Sequence, residues 1–513
     1  MKLDFDLTLY LVTDSGMVPA GSTLSQIVDE AIQGGVTIVQ LREKHADTSD
    51  FLAQAKLVQQ VTKRHKVPLL INDRIDIALA IDADGVHIGQ DDMPLHEARR
   101  LLGDDKIIGV SVQTREHAEQ AVLGGADYLG IGACFDTQTK ELKQGSQGPA
   151  GIRDVWEHAV EVSGPRPVRA VTIGGVNSYN AVHVLICTRT TRGNLPLDGL
   201  AVVSAIVAAE SPRNAAAILR RQIAFAFESA WIARTPAARD SIRSAIGDAF
   251  EAARQNTPLV QHITNPVVIN DCANACLALG GSPMMATDAS EQADLAPVVS
   301  SLVINIGTLN AWQVDGMRAA MKQANLRNTP VILDPVAAGA TKYRSQIVSE
   351  FLKEFGVHVI KGNAGEIAAL VGSDEMHVRG VDAVGCGFKD PAGIVRALSL
   401  KERCVVVMTG PVDYISDGSS TFAVKNGHKL QGTITGSGCM TGTAVGTYVY
   451  AVAHTDPLVG AITGMVAINL AGEHAAQRPD VKGPGTFRAA FIDEMYNLTK
   501  EQLLAEMRIE QLH

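Results

Sequence analysis

The sequence is short of several things, and each shortage excludes a class of protein. Seven cysteines are scattered through 513 residues and form no CxxC pair. A chain this long does not need a disulfide framework, so a reducing compartment is expected. Basic residues are not in excess: 45 Lys and Arg face 55 Asp and Glu, for a net charge of -10. That excludes a uniformly basic nucleic-acid binder, and no block of like charge reads as a binding tail. No uninterrupted apolar run approaches the roughly 18 residues needed to span a bilayer. The opening MKLDFDLTLY carries two acids and no long apolar core, unlike a signal peptide. A cytosolic protein is expected, with small molecules rather than nucleic acid or membrane as partners.

What is present is an ordinary globular composition, 46% hydrophobic, in a chain long enough for two or three domains. Residues 1–205 contain eight β-rich runs: Leu7–Thr13, Thr37–Leu41, Pro68–Asn72, Gly85–Ile88, Ile107–Ser111, Asp127–Ile131, Val168–Ile173 and Leu200–Ser204. Amphipathic stretches such as Ser49–Arg64, Leu95–Leu102 and Arg115–Leu123 separate them. Strand–helix alternation means parallel βαβ units, and eight units at this length predict a closed (β/α)8 TIM barrel.

Polar residues collect at the ends of these runs. Gln40, Arg42 and Lys44 follow run two, and Asn72 and Asp73 follow run three. Gln90 to Asp92 follow run four, and Ser111 ends run five. Thr137, Thr139 and Lys140 follow run six, Gly174 and Gly175 follow run seven, and Ser204 ends run eight. In such a barrel these ends form the active-site face. Asp73 and Asp92 are hard oxygen ligands, and Mg2+ commonly takes one or two carboxylates plus substrate phosphates. Arg42, Lys44 and Lys140 can neutralise phosphate, and a Gly-Gly turn lets backbone N–H groups approach an anion. The inventory points to a diphosphate substrate, a metal and a further phosphate. Competing readings are a turn role for Asp73 and a solvated pair for Arg42 and Lys44. His87, alternating with Val86 and Ile88, reads as structural.

QLREK (40–44), INDR (71–74), DGVHIGQDD (84–92), GVS (109–111), TQTK (137–140), IGGV (173–176) and VVS (202–204), in that order, resemble thiamin-phosphate synthase. The resemblance implies condensation of 4-amino-5-hydroxymethyl-2-methylpyrimidine diphosphate with a thiazole phosphate, releasing pyrophosphate. It assigns Gln40, Arg42, Lys44, Asn72, Ser111 and Lys140 to the pyrimidine diphosphate. It assigns Asp73 and Asp92 to Mg2+, and Thr137, Thr139, Gly175, Val203 and Ser204 to the thiazole phosphate. Two segments depart from the family pattern: GACFDTQTK after run six, and CTRTTRGNLPLDG (187–199), an insertion before run eight.

RTPAARD (234–240) breaks a last barrel helix over 213–233, so the domain boundary is expected near 236, giving domains 1–235 and 236–513. Beyond it, strand-like runs recur at Leu302–Ile306, Pro330–Asp334, Val357–Ile360 and Cys404–Met408. A hairpin, Asp413–Ser416 and Thr421–Lys425 about the turn DGSS, follows them. Two apolar helices then lie near Gly438–Ala453 and Pro457–Ala475. A doubly wound sheet with an antiparallel edge is predicted. In TITGSGCMTG (433–442), glycines just before an apolar helix make an anion site. Cys439 sits on that helix start, where a thiol pKa tends to fall; it can serve as base in phosphoryl transfer or be a small buried apolar residue. Asn363 and Glu366 form an NxxE pattern that suits Mg2+ around ATP phosphates, although Asn363 can equally be a helix cap.

TPLVQHITNPVVIND (257–271), LALGGSPMMA (277–286), NIGTL (305–309), VILDPVAAGATKYR (331–344), KGNAGEI (361–367), MTGPVD (408–413), NGHKL (426–430) and TGSGC (435–439) resemble hydroxyethylthiazole kinase. The resemblance implies a ribokinase-like α/β fold and ATP as co-substrate. It places Met285, Gly436 and Asn265 at the thiazole alcohol, Arg344 and Thr409 at ATP, Cys439 as base, and Glu366 with Asp334 at Mg2+. It also implies a homo-oligomer, a trimer or a hexamer. The two halves fit as one pathway, the kinase making the phosphate that the synthase consumes. The rivals are a barrel that binds ligand without catalysis and a kinase for another small alcohol, such as a pyrimidine.

Overall fold

The computed structural model describes residues 4–137, 145–164, 168–228, 239–372, 376–379, 382–385, 388–452 and 456–512. The chain forms two compact units, Met1–Glu228 and Ser229–His513. The expected boundary near 236 falls outside the described residues.

The first unit is a closed parallel barrel of β1 (Leu9–Val12), β2 (Ile38–Leu41), β3 (Leu69–Asn72), β4 (Gly85–Ile88), β5 (Ile107–Val112), β6 (Tyr128–Gly132), β7 (Arg169–Ile173) and β8 (Gly199–Val202), in that order. Alternate side chains of a strand face opposite ways, which splits the core in two. Tyr10, Ile38, Leu70, Ile107, Tyr128, Val171 and Ala201 fill the interior. Leu9, Leu11, Val39, Leu69, Ile71 and Ile108 pack outward under the helices. One sequence expectation shifts here. Run eight ends at Val202, and Ser204 opens a short helix, Ser204–Val207, rather than closing a strand.

The second unit holds a nine-stranded mixed sheet. Its strands are β9 (Leu259–Ile263), β10 (Ser282–Met284), β11 (Ser301–Asn305), β12 (Val331–Asp334), β13 (Val359–Asn363), β16 (Val405–Thr409), β17 (Asp413–Ser416), β18 (Thr421–Val424) and β19 (Ile509–Gln511). A separate hairpin pairs β14 (Met376–Arg379) with β15 (Asp382–Gly385). The order is β10-β9-β11-β12-β13-β16-β17-β18-β19, parallel through β16 and antiparallel beyond it. The antiparallel edge is as predicted, with β19 as an additional strand from the end of the chain.

The helices Ser437–Val452 and Pro457–Gln477 bring Met440, Val445, Tyr448, Ile462, Val466 and Leu470 into one core with Val303, Ile332, Val405 and Phe422 of the sheet. The second helix starts cleanly because the Asp456 side chain accepts the Leu458 N–H at 3.1 Å and Pro457 fills the first turn, where no N–H is needed. It is long and apolar enough to cross a membrane, yet 89% of its apolar window is buried inside the protein. A core helix with that much burial meets the same length and composition test.

Candidate functional site

The mouth of the barrel, at the C-terminal ends of its strands, holds a cavity of about 400 Å³. Gln40, Arg42, Asn72, Ser111, Thr137 and Val203 all line it. Residues spread over more than 160 positions of sequence thus face one space. Thr139 and Lys140 lie outside the described residues.

Asp73 and Asp92 are brought together. Asp73 has a left-handed backbone, φ 60°, and its N–H is held by the His87 carbonyl at 2.9 Å. Asp92 accepts the Gly89 N–H at 2.7 Å. Burial, then the hydrogen bond and charge of Asp92, push the Asp73 carboxyl up to about 6, with Lys44 opposing. A carboxyl raised by burial and by a neighbouring carboxylate is short of positive charge, which a divalent cation would supply. Among the described residues no group of three or more His, Cys, Asp or Glu could hold a metal.

Gly174 and Gly175 are more than a turn. Their φ values are 100° and 63°. A Cβ on Gly174 would stand 2.6 Å from Ala133 Cβ, and one on Gly175 2.6 Å from Phe135 Cβ. The Gly175 carbonyl is tied back by Asn177 and Asn180 at 3.1 and 3.0 Å. Ser204 is not a strand end: with Val203 as its cap it starts the short helix after β8. His87, read from sequence as structural, lines the cavity and bonds to Ser111. Its signal was position: it sits one residue before the end of β4, on the inward-facing side with Tyr10 and Tyr128.

In the second unit the parallel strands present their C-terminal ends along one edge, where open α/β sheets bind ligands. Asn265 follows β9, Met285 follows β10, Asn305 ends β11, Asp334 ends β12, Asn363 ends β13 and Thr409 ends β16. The helix Ser437–Val452 starts against them after Gly436, whose φ of 90° requires glycine and whose added Cβ would stand 2.9 Å from Val268. Asn305 Nδ2 donates to Cys439 Sγ at 3.2 Å and Asn265 Nδ2 at 3.7 Å. Asn305 also donates to Asp334 Oδ2 at 2.9 Å, and Lys361 Nζ to Asp334 Oδ1 at 3.2 Å.

One expectation changes. The Cys439 thiol does not fall: burial and then Asp334 push it up to about 11, with Lys361, Asn305 and Asn265 pulling the other way. The helix start alone suggested the opposite, because sequence reveals neither how deeply the sulfur is buried nor the charge of Asp334 acting on it. Asp334, expected beside Glu366 on the metal side, is fully buried, with both oxygens engaged by Lys361 and Asn305. Burial works against charge on Lys361, but Asp334, Glu366 and Cys439 around it outweigh this and keep it an ammonium.

Asn363 is a cap, and more: it accepts the Glu366 N–H while Glu366 Oε2 accepts the Asn363 N–H. Glu366 Oε1 accepts the Ala337 N–H at 2.9 Å. Burial pushes Glu366 up to about 7, Lys361 opposing and Asp334 adding to the rise. The Arg344 guanidinium is anchored on the Ile306 and Val336 carbonyls at the strand ends, and Thr409 Oγ1 donates to the Gly362 carbonyl at 3.4 Å. Lys361 and Asn305 were missed as functional residues. A lysine closing the apolar run VHVI and an asparagine ending β11 were signals available in the sequence.

Comparison with known proteins decides the family. Residues 9–206 match the thiamine monophosphate synthase model, and residues 250–501 match the hydroxyethylthiazole kinase family model. The probable thiamine biosynthetic bifunctional enzyme of Schizosaccharomyces pombe is 41% identical over 98% of this chain and 97% of its own length. The thiamine biosynthetic bifunctional enzyme of Saccharomyces cerevisiae is 36% identical over 98% and 97%. The chain belongs to the thiamine biosynthetic bifunctional enzymes. Its barrel is the thiamine-phosphate synthase unit and its mixed-sheet unit the hydroxyethylthiazole kinase unit. A solved hydroxyethylthiazole kinase protein from Pyrococcus horikoshii OT3 is similar to the kinase unit, with 37% identity, TM-score 0.48, and coverage of 53% of this chain and 100% of that one.

Proposed function

We propose that the kinase unit transfers the ATP γ-phosphoryl to 4-methyl-5-(2-hydroxyethyl)thiazole. The synthase unit joins the resulting phosphate to the pyrimidine diphosphate, giving thiamin phosphate and pyrophosphate. In the barrel, Gln40, Asn72 and Ser111 hold the pyrimidine diphosphate, and Arg42, Lys44 and Lys140 neutralise its leaving group. Asp73 and Asp92 would hold Mg2+, which supplies charge for the departing pyrophosphate. Thr137, Thr139, Gly175, Val203 and Ser204 take the thiazole phosphate. No protein nucleophile is needed: pyrophosphate leaves, and the thiazole nitrogen captures the pyrimidine cation.

In the kinase unit, Met285, Asn265 and Gly436 hold the thiazole alcohol, and Arg344 and Thr409 face ATP. Glu366, set by Asn363, would hold Mg2+ with its waters, while Asp334 fixes Lys361 and Asn305. Cys439 takes the hydroxyl proton. In a loose transfer step that proton need leave only as the new O–P bond forms. A sulfur with two amide donors and an ammonium nearby can become a thiolate at that moment, and a thiolate formed there is a strong base. The protein acts in the cytosol as a homo-oligomer, a trimer or hexamer. The exposed apolar side chains Val267, Ile269 and Leu277, near the thiazole end of the kinase unit, support self-association.

The observation that carries this reading is that each unit gathers its own set of acids, cations and amide donors at strand ends. The test is one incubation of the full chain with hydroxyethylthiazole, pyrimidine diphosphate and Mg2+, with and without ATP. Thiamin phosphate made only with ATP supports both assignments. Product from supplied thiazole phosphate, but none from the alcohol plus ATP, overturns the kinase half.

A further inference from the structure

Five side chains cross the interior of the barrel in one hydrogen-bonded line. Gln40 Nε2 donates to Tyr10 Oη at 2.7 Å. Tyr10 Oη and Tyr128 Oη are 2.7 Å apart, Tyr128 Oη is 2.7 Å from His87 Nδ1, and His87 Nε2 is 2.9 Å from Ser111 Oγ. Burial pushes both phenols above the ordinary tyrosine range, so each stays neutral with one proton to donate.

With Gln40 as donor and a neutral His87, the order follows. Tyr10 accepts from Gln40, so its proton goes to Tyr128. The Tyr128 proton then goes to His87 Nδ1, which leaves the His87 proton on Nε2, donated to Ser111 Oγ. The Ser111 hydrogen then cannot point back at His87 and is left for a group in the cavity that Ser111 lines.

The barrel makes room for this line at a cost in side chains. A Cβ on Gly109 would stand 2.0 Å from Tyr128 Cζ, and one on Gly130 would stand 2.9 Å from His87 Cε1. Both glycines lie on the strands that face these rings, so their absence of a side chain is what admits Tyr128 and His87. The rings pack with centroids 5.5 Å apart.

We propose that Tyr10, Tyr128 and His87 are positioning residues of the synthase unit: the line locks His87 in its Nε2–H tautomer and presents Ser111 as a hydrogen-bond donor to the aminopyrimidine diphosphate. The inference rests on Ser111 lining the pyrimidine site, as proposed above. Tyr128 and His87 act through Ser111 and touch no substrate in this role.

The test is steady-state kinetics of the full chain with supplied thiazole phosphate and Mg2+, comparing Tyr128→Phe, Ser111→Ala and the double variant. Loss of one neutral hydrogen bond corresponds to roughly a three- to tenfold rise in KM for the pyrimidine diphosphate, with kcat nearly unchanged. Tyr128→Phe should show that rise, and should add nothing in the Ser111→Ala background. The 15N spectrum of His-labelled protein should show unprotonated Nδ1 at His87, identified by the His87→Gln variant, and lose that signature in Tyr128→Phe. A Tyr128→Phe effect of equal size with or without Ser111 means a structural role and overturns the proposal. So does an unchanged KM in Tyr128→Phe while Ser111→Ala raises it. Ser111→Ala with no effect on KM overturns it through the underlying reading of the pyrimidine site, a result distinct from both.

Discussion

The two sites handle buried charge in opposite ways. In the barrel, burial and then Asp92 drive Asp73 up to about 6, with Lys44 and Asn72 opposing. In the kinase unit, Asp334 is more deeply buried yet carries its own counter-ion in Lys361, and Asn305 links that pair to Cys439. In the proposed function the acid pair is where a cation and the diphosphate arrive. An acid already paired is a scaffold that orients other groups. Carboxylates at strand ends therefore do not share one setting: Asp334 is bonded to a lysine at 3.2 Å, whereas Asp73 has a second carboxyl as a bonded neighbour.

The comparison can be broken in the kinase unit first. Cys439→Ala removes the proposed proton acceptor and should lower thiazole phosphorylation by about 10²- to 10⁴-fold, with condensation of supplied thiazole phosphate unchanged. A loss under tenfold in the kinase assay would make Cys439 a packing residue. Next, Lys361→Met leaves Asp334 buried and unpaired, which should destabilise the kinase unit by about 3–5 kcal/mol in chemical denaturation. Lys361→Met with Asp334→Leu should recover much of that; no recovery would mean that Lys361 is not simply the counter-ion of Asp334.

Smaller effects sharpen the barrel side. Gly175→Ala forces an alanine into a left-handed backbone and against Phe135, a strain of about 1–3 kcal/mol. Thiamin phosphate synthesis should fall with KM for thiazole phosphate raised more than KM for the pyrimidine diphosphate. The smallest effect concerns pH. The Asp73 pKa is raised on folding, so the folded chain holds this proton above the pH at which the unfolded chain has lost it. Stability from this group is therefore present at low pH and is lost as pH rises through about 6. Mg2+ needs the ionised form, so its affinity should weaken by about tenfold per pH unit below about 6, read by calorimetry. An affinity flat across that range would remove Asp73 from the metal site.

Strand runs and strand-end polar residues were legible in the sequence because parallel βαβ units put both in a fixed place. The helices Leu95–Leu102 and Arg115–Leu123 have the predicted ends. Strands β9, β10 and β19 were not read: β10 and β19 have three residues each, and β19 pairs with β18 from far along the chain. The roles of Lys361, Asn305 and Tyr128 were equally hidden. Each depends on which side chain stands opposite, and spacing along one chain does not reveal that. The Cys439 thiol moves up rather than down through burial first and Asp334 second, and spacing along the chain shows neither.

The most direct test of two independent sites assays both half-reactions on two variants, Cys439→Ala and Asp73→Asn, each in the full chain. A crossed pattern is predicted: Cys439→Ala loses thiazole phosphorylation and keeps condensation, and Asp73→Asn does the reverse. If either substitution removes both activities while the chain remains folded, the division of labour between barrel and kinase unit is wrong.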